Sequence, residues 1–158
     1  MSSSRGTIDE FLALKRLAVV GVSRNSKDFT RALFRELRKR GYDAVPVNPG
    51  AAEVDGVACY PNVAAVTPPP EGALLLTKPG VTETAVRDCA AAGVPMVWMY
   101  RAVGAGAVSE EAVGYCRANG IRAVEGECPF MFFPHTPLVP HGLHGCWRKL
   151  RGTYPRQA

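Results

Sequence analysis

The 158-residue sequence has no apolar run that approaches the roughly 20 residues needed to span a bilayer. Residues 1–10 also lack the apolar core of a signal peptide. Hydrophobic residues make up 47 % of the chain and charged residues 21 %, which is an ordinary globular balance and argues against disorder. These features predict a cytoplasmic protein with no membrane partner.

The sequence also lacks a cysteine pattern typical of disulfides, and it has only three histidines. Its five cysteines are an odd number and widely spaced, which predicts reduced thiols rather than a disulfide framework. Two of them, Cys89 and Cys116, fall on the apolar faces of predicted helices and are expected in the core. The densest group of metal-ligating residue types is Cys128, His135, His141, His144 and Cys146. Its spacing matches no zinc pattern, so we predict no metal site.

Excess charge of one sign is confined to the C-terminal tail. The formal net charge is +5. Four of the cations lie beyond the last acid, Glu127, so that residues 1–127 carry a net charge of only +1. These four are Arg148, Lys149, Arg151 and Arg156. Because a nucleic-acid interface spreads over a domain face, this local basic tail does not favour nucleic acid as a partner. A protein partner is left open.

Short apolar runs alternate along the chain with amphipathic helical patterns. The first run, residues 17–22, ends in a tight glycine turn and precedes a helix predicted from about residue 27 to residue 40. This helical pattern and two later ones each end at a glycine in the C′ position, and each is followed by another apolar run. The glycines are Gly41, Gly93 and Gly120, and the five predicted strands are 17–22, 44–47, 72–76, 96–99 and 121–124.

Strands that alternate with helices indicate parallel pairing through right-handed crossovers. We therefore predict a three-layer, Rossmann-like α/β fold with a parallel sheet of about five strands in the order 3-2-1-4-5. A leading helix at about residues 7–14, with Thr7 as its N-cap, precedes the sheet. Residues 1–133 are predicted to form the domain, and residues 134–158 a proline-rich and basic extension.

Ligands of open parallel sheets bind outside the carboxyl ends of the strands, where the strand order reverses. For the predicted order this crevice lies above the first and fourth strands. The loops expected there, 21–24, 48–49, 77–80 and 100–104, supply hydroxyls and cations but few acids and no histidine. This rim favours a binding site over a catalytic one. Near the start of the first long helix, Arg24, Lys27 and Arg31 favour an anion such as phosphate.

A dinucleotide site is less well supported. The Gly-x-Gly-x-x-Gly fingerprint is absent from the first turn. After the second strand, where an acid usually holds the ribose hydroxyls of NAD, the chain has Asn48. An NAD(P)-binding oxidoreductase or redox sensor remains the alternative. In either case Cys128 is considered as a redox-sensitive thiol, although nothing local indicates a lowered pKa.

At these loops the chain resembles the small CoA-binding domain family, which is related to the nucleotide-binding domain of the succinyl-CoA synthetase α-subunit. The matching segments run in order over residues 10–133. They are VVGVSR (19–24), VPVNP (45–49), LTKP (76–79), VW (97–98) and ECPFMF (127–132). The resemblance implies a Rossmann-like fold that binds coenzyme A, but it does not supply an activity. Because the rim also favours binding over catalysis, we predict a non-catalytic protein that binds CoA or an acyl-CoA.

The resemblance also implies roles for nine residues. The first turn would cradle the CoA diphosphate, the segment after the second strand would flank the adenosine end, and the loop after the third strand would line the pantetheine path. Family members often carry two prolines in that last loop, where this chain has Lys78 and Pro79. The residues concerned are Gly21, Val22, Ser23 and Arg24 for the diphosphate, Asn48 and Pro49 for the adenosine, and Thr77, Lys78 and Pro79 for the pantetheine. Lys27 completes the predicted site as a cation near the first turn.

Overall fold

The computed structural model describes residues 3–102 and 104–134, and the structural statements below refer to this part of the chain. Five parallel strands form a central sheet that helices cover on both faces, which confirms the predicted α/β class. The helices are α1 (Arg5–Leu12), α2 (Phe29–Lys39), α3 (Pro79–Ala91) and α4 (Glu110–Ala118). The strands are β1 (Arg16–Val20), β2 (Asp43–Val47), β3 (Glu53–Val54), β4 (Val57–Ala58), β5 (Gly72–Leu75), β6 (Met96–Tyr100) and β7 (Arg122–Glu127).

Alternation along the strands divides the core into two layers. In β1, Leu17 and Val19 pack with α1 and α2, whereas Ala18 and Val20 pack with α3 and α4. Such alternation is expected because successive strand residues point to opposite faces of a sheet. Cys89 and Cys116 are buried between the sheet and α3 and α4, as predicted.

The predicted strand order is wrong. In the order 3-2-1-4-5, β2 would lie inside the sheet between β5 and β1. The structure instead pairs β5 with β1 and leaves β2 at the edge, so that the sheet runs β2-β1-β5-β6-β7. Numbered along the chain, the five strands have the order 2-1-3-4-5.

Pro46 explains why β2 is an edge strand. The backbone groups of Ala44 and Asn48, two residues before and after Pro46, form hydrogen bonds on the side of β2 that faces away from β1. The Ala44 carbonyl accepts from Arg38 Nη1 at 3.0 Å, and the Asn48 amide donates to the Tyr60 carbonyl at 2.9 Å. The Pro46 carbonyl accepts from the Tyr60 amide at 3.1 Å on the same side. Because Pro46 has no N–H to give on that side, a further strand could not pair fully there. The segment around Tyr60 covers the edge instead.

The starts of two helices also differ from the prediction. The Ser4 hydroxyl accepts from the Thr7 amide at 3.1 Å, so Ser4 is the N-cap of α1 and the helix begins at Arg5 rather than at Thr7. Asp28 caps α2, which begins at Phe29 instead of near residue 27. The predicted C′ glycines all have a positive φ, between 69° and 91°, as helix ends of this kind require.

No helix within the described residues is long and apolar enough to cross a bilayer. A 3₁₀ turn, Pro129–Met131, follows β7 near the end of the described residues. The three histidines, Cys146 and the basic tail lie outside the described residues. The domain boundary at residue 133 therefore stays a prediction.

Candidate functional site

A cleft of about 460 Å³ opens at the carboxyl ends of β1, β2 and β5. Because β5 lies beside β1, the connections from these two neighbouring strands leave in opposite directions, and the switch point falls between them. The crevice predicted above β1 and β6 is therefore wrong by one strand. The cleft is lined by Val20, Gly21, Val47, Asn48, Pro49, Pro61, Asn62, Val63, Thr77, Val81, Thr84, Ala85 and Asp88.

Gly21 brings the first and third loops of the site together. Its φ is 91°, and its amide donates to the Val47 carbonyl at 3.0 Å. A Cβ at this position would lie 2.8 Å from the Leu76 carbonyl oxygen and 3.2 Å from Thr77 Cγ2. Real Cβ atoms do not approach a backbone oxygen this closely, so the floor of the cleft needs glycine at residue 21.

The rest of the first turn flanks the cleft without lining it. Val22 is fully buried, so that only its backbone could meet a ligand. The Ser23 amide donates to the Thr30 hydroxyl at 2.9 Å, and the Ser23 hydroxyl accepts from the Asn25 amide at 3.1 Å. Arg24 is exposed, and its guanidinium carbon lies 3.8 Å from a Cβ built on Gly50. Arg24 thus places a cation over the turn that follows β2.

Asn48 holds the first two loops together. Its Nδ2 donates to the Val22 carbonyl at 2.9 Å, and its Oδ1 accepts from the Gly50 amide at 2.7 Å. Both ends of the side-chain amide are therefore engaged by the fold. Asn48 and Pro49, which were predicted to flank the adenosine of the ligand, both line the cleft. The Asn48 side-chain amide, however, already forms hydrogen bonds within the protein.

The third loop leads into a helix whose start has no side-chain cap. Thr77 lines the cleft, and its hydroxyl lies 2.6 Å from the buried hydroxyl of Thr82. Lys78 occupies the N-cap position of α3 without a side-chain cap bond, and Pro79 is the first helical residue. Pro is suited to that position because its missing N–H would have no partner within the helix. Lys78 is exposed, whereas Pro79 is half-buried.

The start of α2 is already occupied by a carboxylate. Asp28 Oδ1 accepts from the Thr30 amide at 2.8 Å and from the Thr30 hydroxyl at 2.7 Å. These hydrogen bonds hold the pKa of Asp28 below its usual value, so that it is ionised. A phosphate bound directly at this helix start would meet a negative charge. Lys27 is exposed in the same loop and is not among the residues that line the cleft.

Arg31, one of the three cations expected to meet an anion, faces the protein instead. Its side chain is buried and forms an ion pair with Asp55, which lies in the turn between β3 and β4. Arg31 Nη1 also donates to the carbonyls of Ser23 and Arg24. The sequence expectation for Arg31 is therefore wrong, whereas Arg24 remains exposed beside the turn that follows β2.

One wall of the cleft is formed by α3, and the sequence did not predict its residues as part of the site. Val81 and Ala85 are one helical turn apart, and so are Thr84 and Asp88. Among the residues that the structure describes, Asp88 is the only ionisable one that lines the cleft, and burial raises its pKa. The i, i+4 spacing was visible in the sequence, but it did not show that this face of α3 borders the switch point.

The described residues contain no cluster of histidine, cysteine or acidic side chains that could hold a metal ion. The thiols of Cys59, Cys89 and Cys116 are free. Cys128 is buried, and burial raises the pKa of its thiol to about 11. Because the thiolate is the reactive form, this environment argues against a redox-sensitive Cys128.

Among solved structures, the chain is similar to hypothetical proteins from two Pyrococcus species. It is 28 % identical to one from Pyrococcus horikoshii OT3, with a TM-score of 0.73, and covers 94 % of that chain with 82 % of its own length. It is 25 % identical to one from Pyrococcus furiosus, with a TM-score of 0.65, and covers 95 % of that chain with 72 % of its own.

A third similar structure is a larger enzyme. It is a dinucleotide-forming acetyl-coenzyme A synthetase from Ca. Korarchaeum cryptofilum, in complex with phosphate and ADP. The identity is 25 % and the TM-score 0.64, and 74 % of this chain matches 27 % of the synthetase chain. The similarity thus covers about a quarter of that enzyme.

Comparison with curated proteins found no match. A family model described as a CoA binding domain matches residues 15–134. This match extends from the residue before β1 through all three loops of the cleft to the last described residue. The chain therefore belongs to the CoA-binding domain family.

Proposed function

We propose that the protein binds coenzyme A, or an acyl-CoA, in the cleft at the carboxyl ends of β1 and β5. The observation that carries this proposal is the match of the CoA-binding family model across every loop that borders the cleft. The position of the cleft supports it, because open α/β sheets bind nucleotides at the switch point.

The charges around the cleft suggest how the ligand would lie. The diphosphate would lie against the turn of residues 21–24, with Arg24 as its cation and backbone amides as donors. The cleft itself is mostly apolar, and within the described part of the chain its single ionisable residue is the acidic Asp88. An anionic phosphate is disfavoured beside that carboxylate, whereas the neutral adenine ring suits the apolar walls that Val63 and Val81 provide.

The pantetheine arm would follow the third loop. Thr77 lines the cleft with its Cγ2 next to the first turn, and Lys78, the next residue of the loop, is an exposed cation. CoA carries more phosphate charge than NAD, because its ribose bears a 3′-phosphate. Exposed cations in neighbouring loops, here Arg24, Lys27 and Lys78, are the complement that such a ligand requires.

We further propose that the protein acts by binding rather than by catalysis, as a carrier or sensor of CoA or of an acyl-CoA. Within residues 3–102 and 104–134, the side chains that line the cleft include no histidine, cysteine or lysine. Acid–base or covalent chemistry needs a proton acceptor or a nucleophile within reach of the ligand. Asp88 alone offers neither a partner base nor an activated nucleophile. The proposed ligand is consistent with the cytoplasmic location predicted from the sequence.

Thermal unfolding with CoA, acetyl-CoA, NAD⁺, NADP⁺ and ATP in separate wells tests the proposal. A ligand at a hundredfold excess over its Kd stabilises the native state by about 2.7 kcal/mol. For a chain of this size that corresponds to a rise in Tm of roughly 5–10 °C. We expect this rise with CoA or acetyl-CoA. A rise with NAD⁺ or NADP⁺ alone would favour the oxidoreductase alternative, and no rise with any ligand would refute a nucleotide site.

Ser23→Glu tests whether the first turn holds the diphosphate. The new carboxylate would lie beside the ligand phosphates, so we expect the shift with CoA to disappear. Ser23→Gln is the matched control, because it has nearly the same size and loses the same hydroxyl acceptor for Asn25 but adds no charge. If the two variants bind CoA equally well, the diphosphate lies elsewhere.

A further inference from the structure

Asp55 lies in a tight turn and connects two arginines of α2. Asp55 and Gly56 have φ values of 49° and 77°, as in the two-residue turns that join antiparallel strands. The Asp55 carboxylate accepts from Arg35 Nε at 2.9 Å and Arg35 Nη2 at 3.1 Å, and from Arg31 Nε at 3.2 Å and Arg31 Nη2. Together these bonds lower the pKa of Asp55 to about 2, so that the carboxylate is ionised at neutral pH.

The same two arginines also hold the loop between β1 and α2. Arg31 Nη1 donates to the Ser23 carbonyl at 3.1 Å and to the Arg24 carbonyl at 3.3 Å. Arg35 Nη1 donates to the Ser26 carbonyl at 2.9 Å. Three carbonyls of one loop therefore point towards guanidinium groups, and Asp55 fixes both of those groups.

The direction of these carbonyls sets the direction of the amides. In a trans peptide the C=O and the next N–H point to opposite sides. With the Ser23 carbonyl directed to Arg31, the Arg24 N–H points away from it, and among the described residues it has no acceptor. The Asn25 N–H is held by the Ser23 hydroxyl. The loop thus presents a free donor on the side opposite the two arginines, and its carbonyl dipoles are turned away from that side.

We propose that Asp55 is a positioning residue for anion binding at the first turn. It does not touch the ligand. It orients Arg31 and Arg35, which turn the carbonyls of Ser23, Arg24 and Ser26 inwards and leave the Arg24 amide for a diphosphate. This inference rests on the proposed function of the turn. The two arginines bind the loop and do not contact the ligand, because Arg31 is only 8 % exposed and both arginines are paired with Asp55.

Asp55→Asn tests the inference, because it keeps the shape of the side chain and removes the charge that pairs with the buried guanidinium. Glu53→Gln is the matched control, since it removes one negative charge from the same hairpin at an exposed residue. Val124→Ala, in β7 on the far side of the sheet, controls for a general loss of stability. Dissociation constants for CoA are measured by calorimetry at 20 °C, and those for pantetheine, which has no phosphate, by NMR titration.

We expect Asp55→Asn to weaken CoA binding about tenfold and to leave pantetheine binding unchanged, while the two controls bind CoA like the wild type. The inference is overturned if Asp55→Asn binds CoA like Glu53→Gln, or if it weakens both ligands equally.

A second measurement does not depend on CoA. Loss of hydrogen bonds should shift the carbonyl ¹³C resonances of Ser23, Arg24 and Ser26 in Asp55→Asn but not in Glu53→Gln. If these resonances do not move, Asp55 does not position the loop. If they move and wild-type protein binds no CoA, the positioning of the loop stands and the proposed ligand is wrong.

Discussion

Gly21→Ala adds a single methyl group at the point where the loops after β1 and β5 approach each other. The added carbon would lie 2.8 Å from the Leu76 carbonyl oxygen and 3.1 Å from the Leu76 carbonyl carbon. Neither atom can turn away as a flexible side chain could, because both belong to the backbone and the Leu76 amide donates to the Val20 carbonyl at 2.8 Å. Relief of the overlap would require β1 and the loop after β5 to separate.

Two costs add at this position. An L-residue at positive φ is disfavoured by about 1–2 kcal/mol. Overpacking of a close contact costs roughly 1–3 kcal/mol. We therefore expect Gly21→Ala to lower the free energy of unfolding by roughly 2–5 kcal/mol, out of the 5–15 kcal/mol typical of a domain. The corresponding fall in Tm is roughly 4–20 °C.

Gly80→Ala is the matched control, at an exposed residue of α3 that does not line the cleft. Gly80 is the second residue of α3, and a Cβ there would meet no atom within 4 Å. Because alanine is favoured over glycine in a helix, this change should stabilise the protein by about 0.4–1 kcal/mol. Urea denaturation followed by far-ultraviolet circular dichroism measures both variants. If Gly21→Ala unfolds within 0.5 kcal/mol of the wild type, as an ordinary surface substitution would, the close approach of the two loops is incorrect.

The remaining predictions concern Trp98 and the pH dependence of Asp55. Trp98→Phe should cost roughly 1–3 kcal/mol by urea denaturation, because it removes the bond from Nε1 to the Glu127 carbonyl and shrinks a fully buried ring; an unchanged midpoint would contradict that bond. The pKa of Asp55 is about 2 in the native state and roughly 3.9 when unfolded. The stability difference between wild type and Asp55→Asn should therefore be complete above about pH 5 and disappear as the pH falls to about 2. A difference that persists in acid would contradict the ion pairs.

The sequence was sufficient for the local elements and for the class of fold. Apolar periodicity and C′ glycines depend on neighbours within a few residues, so they predicted the alternation of strands and helices and hence the parallel sheet. The motifs at the strand ends indicated the CoA-binding family, which the family model confirms. Because the carboxyl ends of parallel strands share one edge, those motifs also predicted that Gly21, Asn48 and Thr77 would meet, and all three line the cleft.

Only the tertiary structure decided which strands are neighbours. The order of strands depends on pairing energies between segments far apart in the chain, and the apolar runs of β2 and β5 do not distinguish the alternatives. One local signal did exist: Pro46 lacks an amide donor, which favours an edge position for β2. The strand order in turn moved the switch point to β1 and β5 and made one face of α3 a wall of the site.

The roles of the charged residues were also beyond the sequence. Arg24, Lys27 and Arg31 look alike in the sequence, as three cations around the start of one helix. Arg31 differs only because Asp55, 24 residues away, is brought against it by the hairpin of β3 and β4. The free energy of a charge depends on the solvent and the partners around it, and these exist only once distant segments have packed together. Local pattern thus determined where the loops at the strand ends are, and tertiary packing decided which of their charges stay exposed and which are paired within the fold.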